Sequence, residues 1–160
     1  MNANIDAKGK AKNGRIISIN VSDKTGTKKD PVERAELKEE FGIVGDSHAG
    51  DVRKDYAHRQ VSLLAVESID KMADQGVDVY PGIFAENLTT EGVILPDLPL
   101  GTKIKFPGGV VLEVTQIGKV CHDGCAIFQA VGDCVMPREG IFTRVVVGGT
   151  ISTGDTIEIV

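Results

Sequence analysis

Apolar and polar residues alternate with a period of two along much of this chain, and the alternation predicts a series of short strands. From Arg15 to Val21, Ile17, Ile19 and Val21 alternate with Ser18 and Asn20, the pattern of a half-buried strand. Arg59 to Leu64 places Val61 and Leu63 on one face. Lys103 to Phe106 leads into the turn Pro107-Gly108-Gly109, and Val110 to Ile117 returns as the second arm of a hairpin. In that arm Val110, Leu112 and Val114 face one way, and Val111, Glu113 and Thr115 the other. Phe142 to Val147 and Thr156 to Val160 complete the strands, with a turn at Gly148-Gly149. The period changes once. Over Ala65 to Gln75, Val66, Ile69 and Ala73 form a stripe at helical spacing, with Met72 beside it. Glu67 and Lys71 are spaced for an i,i+4 ion pair, and Gly76 stops the helix.

The remaining segments are less regular. Ser22 to Asp30 is polar and lysine-rich and reads as an exposed loop. Pro31 to Glu40 fits either an extended edge or a short helix. Gly42, Gly45 and Gly50 punctuate a loop that holds Asp46 and His48. Pro81 to Leu95 reads as two short extended pieces around Glu86-Asn87. About seven or more short strands, mostly linked by hairpins, with one clear helix, give a mainly β domain over residues 14–160, a barrel or a sandwich. No βαβ alternation is strong enough to suggest a doubly wound sheet.

Composition narrows the functional classes. A chain of 160 residues fits one domain with a real core. Nineteen glycines suit many tight turns. With no tryptophan, the core must be built mainly of Val, Ile and Leu. A net charge of -5 argues against nucleic acid as a partner. No apolar run approaches the roughly 18–20 residues that span a bilayer. Met1 to Asn13 is polar and reads as a disordered leader and not an export signal, so the expectation is a cytoplasmic protein with no membrane partner.

All three cysteines, Cys121, Cys125 and Cys134, fall in the one stretch, Lys119 to Gly140, that has no clean strand period. A cysteine reacts or binds metal as its thiolate, and His122, Lys119 and Arg138 are cationic neighbours in sequence that would lower a thiol pKa. Spacing alone leaves four readings open. A thiolate could grip a soft metal or carry sulfur as a persulfide; three cysteines and His122 could hold structural zinc; two thiols could cycle to a disulfide; or the cysteines could simply be buried as small apolar residues.

The ordered series Gly45-Asp46-Ser47-His48-Ala49-Gly50, Arg59-Gln60-Val61-Ser62-Leu63-Leu64 and Pro81-Gly82-Ile83-Phe84-Ala85-Glu86-Asn87-Leu88-Thr89 resembles the MOSC domain. So does the ending, Cys121-His122-Asp123-Gly124-Cys125 followed by Gly132-Asp133-Cys134-Val135-Met136-Pro137-Arg138-Glu139-Gly140. That domain is named for the C-terminal part of molybdenum cofactor sulfurases, and the likeness here is to the bacterial stand-alone type. The resemblance implies a β-barrel-like fold and a site for molybdenum cofactor, a molybdopterin, or for persulfide sulfur. It points to Cys125 first and Cys121 second as the functional thiol, with Cys125 as the metal ligand. It implies no pyridoxal phosphate and no intrinsic desulfurase activity in a chain of this length, and a desulfurase or molybdoenzyme as partner. Whether the chain is an enzyme or a carrier stays open.

Other residues are weighed on their own chemistry. Arg144 and Arg138 are candidates to hold the cofactor phosphate, since a planar guanidinium binds phosphate bidentately. Asn87 could read a pterin edge or satisfy backbone groups at a bulge. His48 is kept for the pocket because the resemblance places its loop near the site, and His122 joins it as a cofactor-binding candidate. Asp46 is read as a turn cap, Glu86 is given no role, and His58 beside Arg59 has the weakest case. The competing class is a non-catalytic zinc-binding or thiol redox-sensing module.

Overall fold

Seven strands close into a barrel in the computed structural model, which describes residues 13–23, 28–47, 49–50, 58–74, 76, 79–118 and 139–160. Strand β1 runs Asn13–Val21, β2 Asp30–Val32, β3 Arg34–Lys38, β4 Gly42–Ile43 and β5 Val61–Ala65. Helix α1, Val66–Ala73, follows directly, then β6 Leu88–Glu91, β7 Lys103–Lys105, β8 Val111–Ile117, β9 Ile141–Val147, β10 Gly149–Ser152 and β11 Thr156–Ile159. The ring reads β11-β7-β8-β9-β5-β6-β1 and closes where β1 pairs with β11. All its pairings are antiparallel except β5 with β6, and α1 is the crossover that a parallel pair requires. Strand β1 begins at Asn13, so the barrel takes in a residue expected to belong to the leader; residues 1–12 lie outside the described residues.

The second small sheet, β10-β3-β4, was not legible in sequence. It resolves the ambiguous Pro31–Glu40 stretch as extended chain, and it turns Leu37, Ile43 and Ile151 into the same apolar cluster that fills the barrel. Strand β9 leads through Val147 into β10, so this sheet lies at the far end of β9 from Gly140.

The barrel interior is aliphatic, as the composition requires: Val61, Leu63, Leu88, Ile104, Leu112, Val114, Ile141 and Val145 are buried there. A second cluster lies outside the barrel wall. There α1 lays Ile69 and Met72 on Leu64, Phe84 and Phe142. Val66 and Ala73, predicted on the buried stripe, are half-exposed and exposed, and Ser68 takes a buried place instead. The predicted Glu67–Lys71 pair is also redirected. Glu67 accepts the Gly92 N–H, and Lys71 donates to Glu139.

The period-two expectation for β1 fails at one point, for a definite reason. The register against β6 shifts between Ile16 and Ser18, so Ile16 and Ile19 face the core and Ile17 is only half-buried. Ser18 and Asn20 are buried in a polar layer on the outer side of the wall. Ser18 Oγ donates to Asn20 Oδ1 (2.7 Å), and Asn20 Nδ2 donates to Thr89 Oγ1 (3.1 Å) and to the Glu86 carbonyl (3.2 Å).

That layer is roofed by the turn around Gly82, which replaces the first of the two extended pieces expected in Pro81–Leu95. Gly82 has φ +94, and a Cβ there would meet the Lys29 carbonyl at 2.3 Å, so only glycine fits. Lys29 itself corrects the exposed-loop reading of its segment. It is 1% exposed, and its Nζ donates to Asp46 Oδ1 at 2.7 Å. The same carboxylate oxygen accepts the Ser22 N–H at 3.1 Å. Asp46 therefore ties the glycine-punctuated loop to the loop after β1.

A buried pair left with one partner is far costlier than the intact pair. Lys29→Met is expected to lower unfolding free energy by about 3–5 kcal/mol, and the double variant Lys29→Met/Asp46→Leu to recover much of that loss, both read by urea denaturation. Additive losses in the double variant would contradict the pairing.

Candidate functional site at the root of the cysteine segment

Strands β8 and β9 pair through Ile117 and Ile141, and one further bond closes the ladder: the Gly118 N–H donates to the Gly140 carbonyl at 2.7 Å. Residues 119–138 leave and return at this clasp. Cys121, Cys125, Cys134, His122 and Arg138 belong to that segment, and His48 to another, and all lie outside the described residues. What the structure does describe is the rim from which the thiol segment springs.

Two clusters flank the root. On one side Gln116 Nε2 donates to the Gly118 carbonyl at 2.7 Å, which fixes the amide so that its Oε1 accepts from Arg59 Nε (3.0 Å). His58 Nε2 lies 2.8 Å from the same Oε1, so this ring nitrogen carries the hydrogen. The Arg59 guanidinium lies 5.1 Å from the centre of the Phe142 ring, a cation–π contact. His58, whose case was the weakest in sequence, thus stands with Arg59 beside the start of the cysteine segment. Their position before β5 gives no local signal of this; the partner, Gln116, is 58 residues away.

On the other side Ser68 Oγ (2.6 Å) and Lys71 Nζ (2.9 Å) both donate to Glu139 Oε1, fixing the residue where the segment returns. These three residues border a cavity of about 440 Å³ whose other walls include Val93, Ile94 and Leu95.

Two expected cofactor-binding residues are described, and both are engaged by the protein. Arg144 stands on the outer face of β9, with Nε donating to Glu113 Oε1 (2.5 Å) and Nη1 to Glu40 Oε1. Lys103 Nζ donates to the other Glu113 oxygen at 2.9 Å. Asn87 is fully buried. Its Oδ1 accepts the Ser62 N–H (2.9 Å) and its Nδ2 donates to the Asn20 carbonyl (3.1 Å), so its side chain serves the backbones of β5 and β1. The hydrogen-bond partners named for Arg144, Glu113 and Glu40, are not those named for Asn87, Ser62 and Asn20. Glu86, given no role in sequence, is fully buried, and Oε2 accepts the Gly82 N–H and the Thr89 hydroxyl. Its Oε1 has no partner among the described residues, and burial pushes its carboxyl above the usual glutamate range. Among the described residues no three His, Cys, Asp or Glu side chains converge as a metal site.

The Lys103 and Arg144 hydrogen bonds hold the Glu113 carboxyl below its ordinary value of 4.5. A lowered folded-state value means stability that is present above pH 4.5 and lost as pH falls through the folded value. Glu113→Gln is expected to flatten that acid limb in thermal melts between pH 5 and pH 3 (roughly the window of carboxylate titration). A limb as steep as in the parent would contradict the assignment.

The MOSC domain family model matches residues 44–158. Solved structures share the fold at low identity. The YUAD protein from Bacillus subtilis superposes with a TM-score of 0.72 at 21% identity, over 92% of this chain and 95% of that one. YiiM from Geobacillus stearothermophilus gives 0.67 at 20%, over 92% of this chain and 75% of that one. YiiM from Escherichia coli gives 0.66 at 18%, over 92% and 69%. Among curated proteins none matches this sequence. No helix among the described residues is long and apolar enough to cross a membrane. The family match spans most of the chain, the barrel is the fold shared with these structures, and the chain belongs to the MOSC domain family.

Proposed function

We propose that this chain is a small module of molybdenum cofactor metabolism that uses a cysteine thiolate, Cys125 with Cys121 as its neighbour, to grip molybdenum or carry persulfide sulfur. The observation that carries the reading is the clasp between Gly118 and Gly140, which roots the whole thiol-bearing segment on one rim of a rigid barrel. Arg59 stands at that root with its Nε on Gln116, His58 shares the same amide oxygen, and Lys71 reaches the root through its pair with Glu139. Positive neighbours favour the thiolate, the form that binds soft metals and attacks sulfur.

A thiolate fits a soft metal such as molybdenum in its donor chemistry, and when bound the metal would supply a soft acceptor for sulfur. The pterin part draws less on the described residues. For Arg144 to hold the cofactor phosphate, Glu113 and Glu40 would have to give it up; for Asn87 to read a pterin edge, Ser62 and Asn20 would lose their backbone partner. Arg138, His122 and His48 remain the proposed cofactor contacts. The partner in this reading is a desulfurase or a molybdoenzyme in the cytoplasm, and no nucleic acid.

The test is to purify the protein from a host that makes the cofactor and measure bound molybdenum, pterin and persulfide. Enrichment of molybdenum with pterin, or of persulfide, that falls at least tenfold in Cys125→Ala is the expected result. No enrichment of any of them, or enrichment indifferent to Cys125 and Cys121, overturns the reading. Stoichiometric zinc without pterin, or a reversible Cys121–Cys125 disulfide, would favour the metal-stapled or redox module instead.

A further inference from the structure

The cavity beside the root of the cysteine segment holds a carboxylate already, and that carboxylate is the protein's own. Ser68 Oγ and Lys71 Nζ converge on a single oxygen, Glu139 Oε1, at 2.6 and 2.9 Å. Ser68 is only 4% exposed, so its hydroxyl is a built donor and not a surface group that happens to face an anion. The walls around the pair are apolar. Val93 and Leu95 are buried, and Ile94 is left 55% exposed at the edge of the cavity. The remaining acid at the cavity, Glu67, directs Oε2 to the Gly92 N–H and is held there at 2.9 Å.

We propose that Ser68 and Lys71 form a binding site for a small organic carboxylate with an apolar body, and that Glu139 occupies this site as an internal competitor. The exchange puts the ligand's carboxylate on the donors that Glu139 vacates, so the hydrogen bonds of Ser68 and Lys71 are kept while the complex gains one negative charge. What the incoming ligand adds is apolar surface covered against Val93, Ile94 and Leu95. A cavity of about 440 Å³ suits a ligand of one ring or a branched chain. The ligand would release Glu139 from α1, and Glu139 is the residue at which the cysteine segment rejoins the barrel. The site stands on described side chains alone and does not depend on the thiol reading.

The experiment uses the full chain and titrates benzoate, following backbone amide NMR signals of Gly92, Ile94 and Leu95. Benzamide serves as the neutral counterpart and inorganic phosphate as an anion without an apolar body. Saturable benzoate binding is expected, tightened at least tenfold by Glu139→Ala and less by Glu139→Gln, which keeps a neutral acceptor on the donors. Lys71→Met in the Glu139→Gln background should reverse the gain. Benzamide and phosphate should bind at least tenfold more weakly than benzoate. Benzoate that shifts none of these signals in any variant overturns the proposal. So does binding by benzamide or phosphate as tight as benzoate, or no gain on removing Glu139. Should Glu139→Ala fail to fold, the Glu139→Gln comparison decides alone. Cys125→Ser should leave every one of these affinities unchanged, so failure here and failure of the thiol chemistry are read separately.

Discussion

Strand β1 has to serve three partners at once, and the rest of the molecule is arranged around that demand. Its first residues pair with β11 to close the barrel, its last pair with β2, and its other edge runs along β6. The register against β6 shifts between Ile16 and Ser18, and the pairings with β11 and β2 lie on either side of that shift. The shift moves two apolar side chains, Ile16 and Ile19, to the core. It also leaves Ser18 and Asn20 buried on the outside, where polar groups need partners. Thr89, Asn87, Glu86 and Gly82 answer that need, and the Pro81–Leu88 motif is best understood as the roof of this polar layer.

The same demand explains how much could be read from sequence. Strand β8 came through because only one of its faces is buried, β5 and β9 because their apolar β-formers hold the barrel core while Leu64 and Phe142 pack against α1 outside it, and the hairpin turn at Pro107-Gly108-Gly109 is a local signal. The helix was found because Ile69 and Met72 keep its spacing. What failed was non-local. Ile17 looked like a core residue because the bulge has no sequence mark. Lys29 looked solvated because its partner Asp46 is 17 residues on, in a loop. Strand β10 was invisible because its pairing to β3 spans most of the chain.

The candidate site divides along the same line. Sequence drew attention to the cysteine stretch because thiol chemistry is carried by residue identity. It could not find the side chains that stand beside the root of that stretch. His58 and Arg59 sit far from that stretch in sequence, and both meet Gln116 on β8, whose amide donates to the Gly118 carbonyl. Arg144, in contrast, carried an attractive identity for anion binding and turns out to bridge the barrel wall to Glu40 in the turn between β3 and β4. An arginine on a strand face among apolar neighbours is as much a sign of a cross-strand acid as of a ligand.

The clasp at Gly118 and Gly140 also bears on how long the chain between them can be. The β8–β9 ladder fixes the two ends of the intervening chain to each other. Lengthening a closed loop twofold adds only about 0.6 kcal/mol of closure entropy. In closure entropy alone, a longer connection between these two glycines costs the fold little.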